Sequence, residues 1–185
     1  QDFFILRDEP TDWLSKFGGS AWAPFGDTGK YYLHLFDITQ ADLNWRNPNV
    51  RQELFKVVNF WRDKGVKGFR FDVINLIGKD EVLEDCPEND GKPAYTDKPI
   101  VHDYLRMMNE ATFGQDDSFM TVGEMSATTI ENCILYTAPD RQELSMAFNF
   151  HHLKVDYEAG QKWTLKAFDF EELKRLFHTW GKEMS

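Results

Sequence analysis

Three short apolar runs, each followed by charged or polar residues and each set off from the next by a helical stretch, limit this chain's folding choices most. They occupy residues 66–77, 119–125 and 143–150. Phe69, Phe71 and Val73 share one face of the first, with Gly68, Arg70 and Asp72 on the other. Leu144, Met146, Phe148 and Phe150 alternate in the third. Between and around them the period changes. Asn47-Pro48 offers an N-cap and an N1 proline, and Val50, Leu54, Val57, Val58 and Trp61 follow at helical spacing until Lys64-Gly65. Pro99 opens a second helix, with Ile100, Tyr104, Met107, Met108 and Ala111 on one stripe. Residues 128–136 form a short third. Asp169 with Glu172 resembles a capping box before Phe170, Leu173, Leu176, Phe177 and Trp180. Helices that alternate with strands in this way argue for parallel strands joined by right-handed crossovers.

Three parallel strands make neither a closed barrel nor a comfortable open sheet, because two edges stay unpaired. A closed eight-stranded α/β barrel takes about 250 residues, and this chain has 185. The expected fold class is therefore α/β, a middle slice of a (β/α)8 barrel over 47–185. Residues 1–46 are rich in aromatics, Gly, Asp and Asn and lack a long helical period, so they read as the end of an inserted, loop-rich subdomain. Residues 30–36 are β-like, and 78–98 form a polar loop long enough to be functional or mobile.

Composition removes several function classes. Lys and Arg number 21 against 31 Asp and Glu, a formal charge of −10, which disfavours general nucleic-acid binding. Hydrophobic residues make up 42%, too many for a disordered chain. No apolar run approaches the roughly 20 residues that span a bilayer. The chain opens on Gln1-Asp2 with no basic-then-apolar leader, which reads as processing or as a piece of a longer protein. Cys86 and Cys133 lack metal-ligand spacing and read as free thiols of a reducing compartment.

The chemistry concentrates at strand ends. Arg70 and Asp72 lie near the end of the first strand, where parallel α/β folds place active sites. A cation beside a carboxylate keeps it ionised, as a nucleophile requires; a structural ion pair is the competing reading. Glu124 ends the apolar run Met120-Thr121-Val122-Gly123. Burial there would suit a general acid, although a carboxylate at a strand–loop junction has the same pattern. Neighbouring strands lie roughly 5 Å apart, and carboxylates about 5–5.5 Å apart are the arrangement of a retaining glycosidase. The third strand runs into Asn149-Phe150-His151-His152-Leu153-Lys154. Adjacent histidines diverge on a strand, which argues against a metal site; His152 or Lys154 could contact a phosphate or hydroxyl, or the run is a solvated loop. The aromatics between 13 and 36 read first as subdomain core and second as sugar-stacking faces.

Together these motifs resemble the α-amylase superfamily of glycoside hydrolases. Gly68-Phe69-Arg70-Phe71-Asp72 resembles its strand-four motif and Thr121-Val122-Gly123-Glu124-Met125 its strand-five motif, so the chain would supply about strands four to six. Gln40-Ala41-Asp42-Leu43-Asn44-Trp45 is similar to a motif of the oligo-1,6-glucosidase branch, with Ala41 in place of proline. Within that branch, residues 120–128, residues 148–157 and Lys162-Trp163-Thr164-Leu165 resemble the trehalose-6-phosphate hydrolase group. The resemblance implies Asp72 as nucleophile, Glu124 as general acid/base and Arg70 as the nucleophile's partner. Phe36 matches a residue lining the nonreducing glucose subsite, and Val73 one that selects against α-1,4 linkages. Leu76 stands where amylases proper carry a histidine. The strand-three Asn-His pair, the strand-seven Asn-His-Asp with the third carboxylate, and the calcium loop after strand one are absent from these residues.

By resemblance, the chain would belong to a cytoplasmic, retaining α-glucosidase acting on a small phosphorylated disaccharide, trehalose 6-phosphate. His152 and Lys154 are candidates for its phosphate. No cofactor is implied, any structural calcium lying elsewhere; nucleic acid and membrane are not expected partners, and the rest of the barrel is. The alternatives are an oligo-1,6-glucosidase or dextran glucosidase, and a non-catalytic amylase-like module of the kind found in transporter heavy chains. The slice alone is expected to be inactive.

Overall fold

The computed structural model describes residues 2–158 and 164–184, the side chain of Asn89 excepted. Lys162 and Trp163 of the Lys162-to-Leu165 motif lie outside the described residues. Helix α1, Pro48–Asp63, starts where its signals predict. The Asn47 side chain accepts the Asn49 N–H at 2.9 Å, and Pro48 needs no partner in the first turn. Lys64 closes it, and Gly65 turns the chain at φ 94°. Strand β4, Gly68–Phe71, follows, then helix α2, Ile100–Ala111, strand β5, Met120–Glu124, helix α3, Ile130–Thr137, strand β6, Met146–Phe148, and helix α4, Phe170–Glu183. The Asp169 side chain caps α4 by accepting the Glu172 N–H at 2.9 Å.

β4, β5 and β6 form one parallel sheet in that order. Gly68 stands opposite Met120, and Glu124 opposite Phe148. Apolar side chains on the helix-facing surface enter a core of Val58, Val101, Leu105, Met108, Phe113, Phe119 and Tyr136, against which Phe69 and Phe71 pack. Phe69 lies 5.3 Å from the Phe119 ring and Phe71 6.1 Å from Phe113.

The strands are shorter than the apolar runs, for identifiable reasons. β4 ends at Phe71, and Val73 then adopts a left-handed conformation at φ 36°. Asp72 and Val73 therefore do not continue the alternation with Arg70 and Phe71, and Asp72 sits in the turn beyond the strand. At the third run, Glu143 is buried rather than paired in a ladder, because the His102, Arg106 and Arg141 side chains gather around its carboxylate.

The N-terminal residues form a small antiparallel sheet of β1, Leu6–Arg7, β2, Trp22–Pro24, and β3, Tyr31–Leu33, in the order β1-β3-β2. Its core joins Trp13, Trp22, Leu33 and Leu35 to Leu76 and Tyr95, which come from the chain after β4. The predicted polar loop is thus tied down: Tyr95 is fully buried, and the Trp13 indole N–H donates to the Glu84 carbonyl at 2.9 Å. Both cysteines are free thiols, and Cys133 is buried. Among the described residues, no helix is long and apolar enough to cross a membrane.

Candidate active site

The sheet register decides which side chains meet. Arg70 occupies the face of β4 opposite the phenylalanines, one strand from Glu124. Its guanidinium forms ion pairs with both the Asp72 and the Glu124 carboxylates. It also lies 5.8 Å from the centre of the Phe148 ring on β6. One cation therefore spans three strands and draws both candidate carboxylates to one point at their C-terminal ends. Their surroundings differ sharply, with the Glu124 side chain 10% exposed and Asp72 73% exposed. A buried acid beside an accessible one matches the division of labour expected of general acid and nucleophile.

Behind this pair stands Asn75, fully buried, a residue that sequence reasoning missed. Its carboxamide oxygen accepts the Ser126 N–H at 2.9 Å and its nitrogen donates to the Ser126 carbonyl at 2.8 Å. The same nitrogen donates to Asp97 at 2.9 Å. Asp97 also accepts from Asn132 at 2.9 Å and from the Tyr136 hydroxyl at 3.1 Å. Burial, followed by the Asp97 charge, pushes the Tyr136 phenol above its usual range, so it stays a donor. Asn75 is three residues past Asp72, and Ser126 two past Glu124. The clasp therefore binds the two strand ends to each other. A polar residue between Ile74 and Leu76, in an otherwise apolar run, was the available signal, because a buried amide must find partners.

A second tie runs through Lys79, also buried, whose ammonium donates to Asp42 at 2.7 Å and to the Leu76 carbonyl at 2.8 Å. The other Asp42 oxygen accepts the Leu35 N–H at 2.8 Å. Leu35 precedes Phe36, and Phe36 and Val73 pack on the same N-terminal core. Phe36 and Val73 thus share one core, which also holds Leu76 just beyond the Asp72 turn. Phe17 meets Phe36 edge-on at 5.8 Å and is itself largely exposed. Trp13 and Trp22 are core, so the aromatic cluster is core at its centre and open at the Phe17 edge.

His151 and His152 lie in a 3-10 turn, His151–Val155. The His151 ring packs on Trp180 at 5.2 Å and the His152 ring on Phe177 at 5.8 Å, both on α4. Burial, then the nearby Lys154 charge, holds His151 below its ordinary value. Lys154 is exposed. No cluster of three or more His, Cys, Asp or Glu side chains suited to a metal ion occurs among the described residues.

Lys16 is a further residue missed from the sequence, where nothing marks it. Its backbone N–H donates to the Leu35 carbonyl at 2.8 Å, and its ammonium donates to the Ser126 hydroxyl at 3.0 Å. Burial, then the charges of Lys92 and Lys154, brings it down to about 8.

The α-amylase catalytic-domain family matches residues 1–185. The trehalose-6-phosphate hydrolase of Bacillus subtilis (strain 168) is 54% identical over all of this chain and 34% of its own length. An oligo-1,6-glucosidase of Parageobacillus thermoglucosidasius is 43% identical, again over all of the chain and 34% of the relative. The crystal structure of Bacillus licheniformis trehalose-6-phosphate hydrolase superposes with a TM-score of 0.94 at 52% identity, covering 99% of this chain and 34% of that one. The chain spans about a third of the length of each of these relatives, and its parallel sheet is an arc of their barrel.

Proposed function

The chain belongs to the α-amylase catalytic-domain family, and from that premise we propose that it is the catalytic third of a retaining α-glucosidase that hydrolyses trehalose 6-phosphate. The observation that carries the reading is Arg70 ion-paired with both Asp72 and Glu124. The carboxylates converge where a sugar acetal would need a nucleophile on one side and an acid on the other.

In this mechanism Asp72 attacks the anomeric carbon as the bond to the leaving oxygen breaks. Glu124 transfers its proton to that oxygen, releasing glucose 6-phosphate. Water then gives a proton to Glu124 and its oxygen to the anomeric carbon. The Asp72 ester breaks, and glucose leaves with its α configuration retained. For Glu124 to hold a proton, Arg70 must relax its contact with it and remain with Asp72. Phe36 and Val73 would shape the pocket for the transferred glucose. Lys154 is a candidate for the phosphate, with His152 beside it. A reducing cytoplasm suits free thiols and a phosphorylated substrate.

The 54%-identical relative supports trehalose 6-phosphate, and the 43%-identical glucosidase keeps isomalto-oligosaccharides as the second reading. Turnover of trehalose 6-phosphate and isomaltose by the full-length enzyme separates the two. We expect a preference of at least about tenfold for the phosphorylated sugar, equivalent to about 1.4 kcal/mol. A strong preference for isomaltose would overturn the substrate assignment.

A further inference from the structure

We propose that Asp97 is a positioning residue for the general acid: its carboxylate secures both sides of the link from β5 to α3 and so fixes how the chain leaves the strand at Glu124. The inference rests on the glucosidase reading, in which Glu124 holds the proton, and adds a residue that touches no sugar.

Asp97 lies between the 3-10 segment Glu88–Ala94 and α2, outside every strand. Its carboxylate gathers three donors, all neutral. One oxygen accepts from Asn75 and from the Tyr136 hydroxyl, and the other accepts from Asn132. Its backbone N–H donates to the Asn75 carbonyl at 3.1 Å. Asn132 and Tyr136 stand four residues apart, on one face of α3. Thr129 caps that helix by accepting the Asn132 N–H at 3.2 Å. Asp97 therefore holds the link directly on its helix side, and through Asn75 and Ser126 on its strand side.

That link needs holding. Ala127 adopts a left-handed φ of 52°, and Asp97 itself one of 51°. A residue with a Cβ is costly in that region and persists only where its surroundings impose it. Asp97 also decides which way the Asn75 amide faces. The Asn75 nitrogen meets the Asp97 carboxylate and the Ser126 carbonyl, which leaves its oxygen for the Ser126 N–H. Turned over, the amide would set oxygen against oxygen at both Asp97 and Ser126. Without Asp97, one of the two contacts that forbid the turned amide is lost, and α3 is released from the clasp. Glu124, two residues before Ser126, then loses its fixed exit from the sheet. Misplacing a reacting group by about 1 Å costs rate, while the sugar's own contacts remain.

The test measures kcat and KM for the full-length enzyme and for Asp97→Ala, Asp97→Asn and Asn132→Ala, with Glu124→Gln as the reference. The substrates are trehalose 6-phosphate and α-glucosyl fluoride, whose leaving group needs little protonation. Asp97→Ala should lose at least about tenfold in kcat on trehalose 6-phosphate, with KM within about threefold, and much less on the fluoride. Asp97→Asn should recover most of that loss. Its remaining oxygen still accepts from Asn75 and Tyr136, while the Asn132 amide turns to meet its nitrogen. Asn132→Ala should show the same leaving-group pattern in milder form, and it decides the test if Asp97→Ala does not fold. With Glu124→Gln sparing the fluoride, equal losses on both substrates, a loss confined to KM, or an Asp97→Asn enzyme as poor as Asp97→Ala would overturn the positioning role and leave the glucosidase reading standing. A Glu124→Gln enzyme that loses both substrates equally would instead overturn that reading, and the inference with it.

Discussion

At the residue scale, Arg70 makes Asp72 and Glu124 parts of one device, yet the two should fail differently when altered. Asp72→Ala removes the only covalent attachment point in the proposed reaction. Turnover in the full-length enzyme should fall on the order of 10⁴-fold or more, and near-normal rates would refute the assignment. Glu124→Gln removes a proton source, so its effect should depend on the leaving group. Hydrolysis of trehalose 6-phosphate should drop steeply, while release of fluoride from α-glucosyl fluoride, which needs little protonation, should drop much less. Equal losses would deny Glu124 the acid's part.

At the scale of elements, the ends of β4 and β5 are set by hydrogen bonds as much as by the sheet. Asn75 satisfies both backbone groups of Ser126 and one oxygen of Asp97. Asn75→Ala would leave several buried polar groups unpaired, at about 1–3 kcal/mol for each that water cannot reach. Denaturant melts should show that loss. A variant that stays folded should lose kcat more than it raises KM, because the two carboxylates lose their common brace. Glycine matters at one strand contact. A Cβ on Gly68 would sit 2.7 Å from the Met120 carbonyl oxygen on β5. Gly68→Ala would therefore push β4 away from β5, with loss of both stability and turnover.

Helical spacing and capping residues foretold α1 and α4 well, since Asn47, Pro48 and Asp169 act through local backbone geometry. Strand ends were less legible. An apolar run shows burial without showing where pairing stops, and the left-handed Val73 turn follows from tertiary packing. Arg70, Asp72 and Glu124 could be read as candidates because their positions at strand ends carry meaning. Asn75 meets Asp97 and Ser126, Lys16 meets Ser126 and Lys79 meets Asp42 from distant parts of the chain, and nothing local announces these pairings.

At the scale of the whole molecule, the three parallel strands among the described residues leave two edges unpaired and form an arc. The 73% exposure of Asp72 belongs to that arc, and walls from the rest of a barrel would cover it. The 185 residues expressed alone should therefore show no measurable hydrolysis of trehalose 6-phosphate, even where circular dichroism reports helix. Wild-type rates from this piece would show that the missing walls and third carboxylate are dispensable. The central claim is that Asp72 bonds to the sugar while Glu124 manages the proton. The most direct test is to trap the full-length enzyme with 5-fluoro-α-glucosyl fluoride, digest it and sequence the labelled peptide by mass spectrometry. The fluoroglucosyl group should be found on Asp72, and an enzyme that turns the probe over without labelling, or carries the label on another residue, would contradict the account.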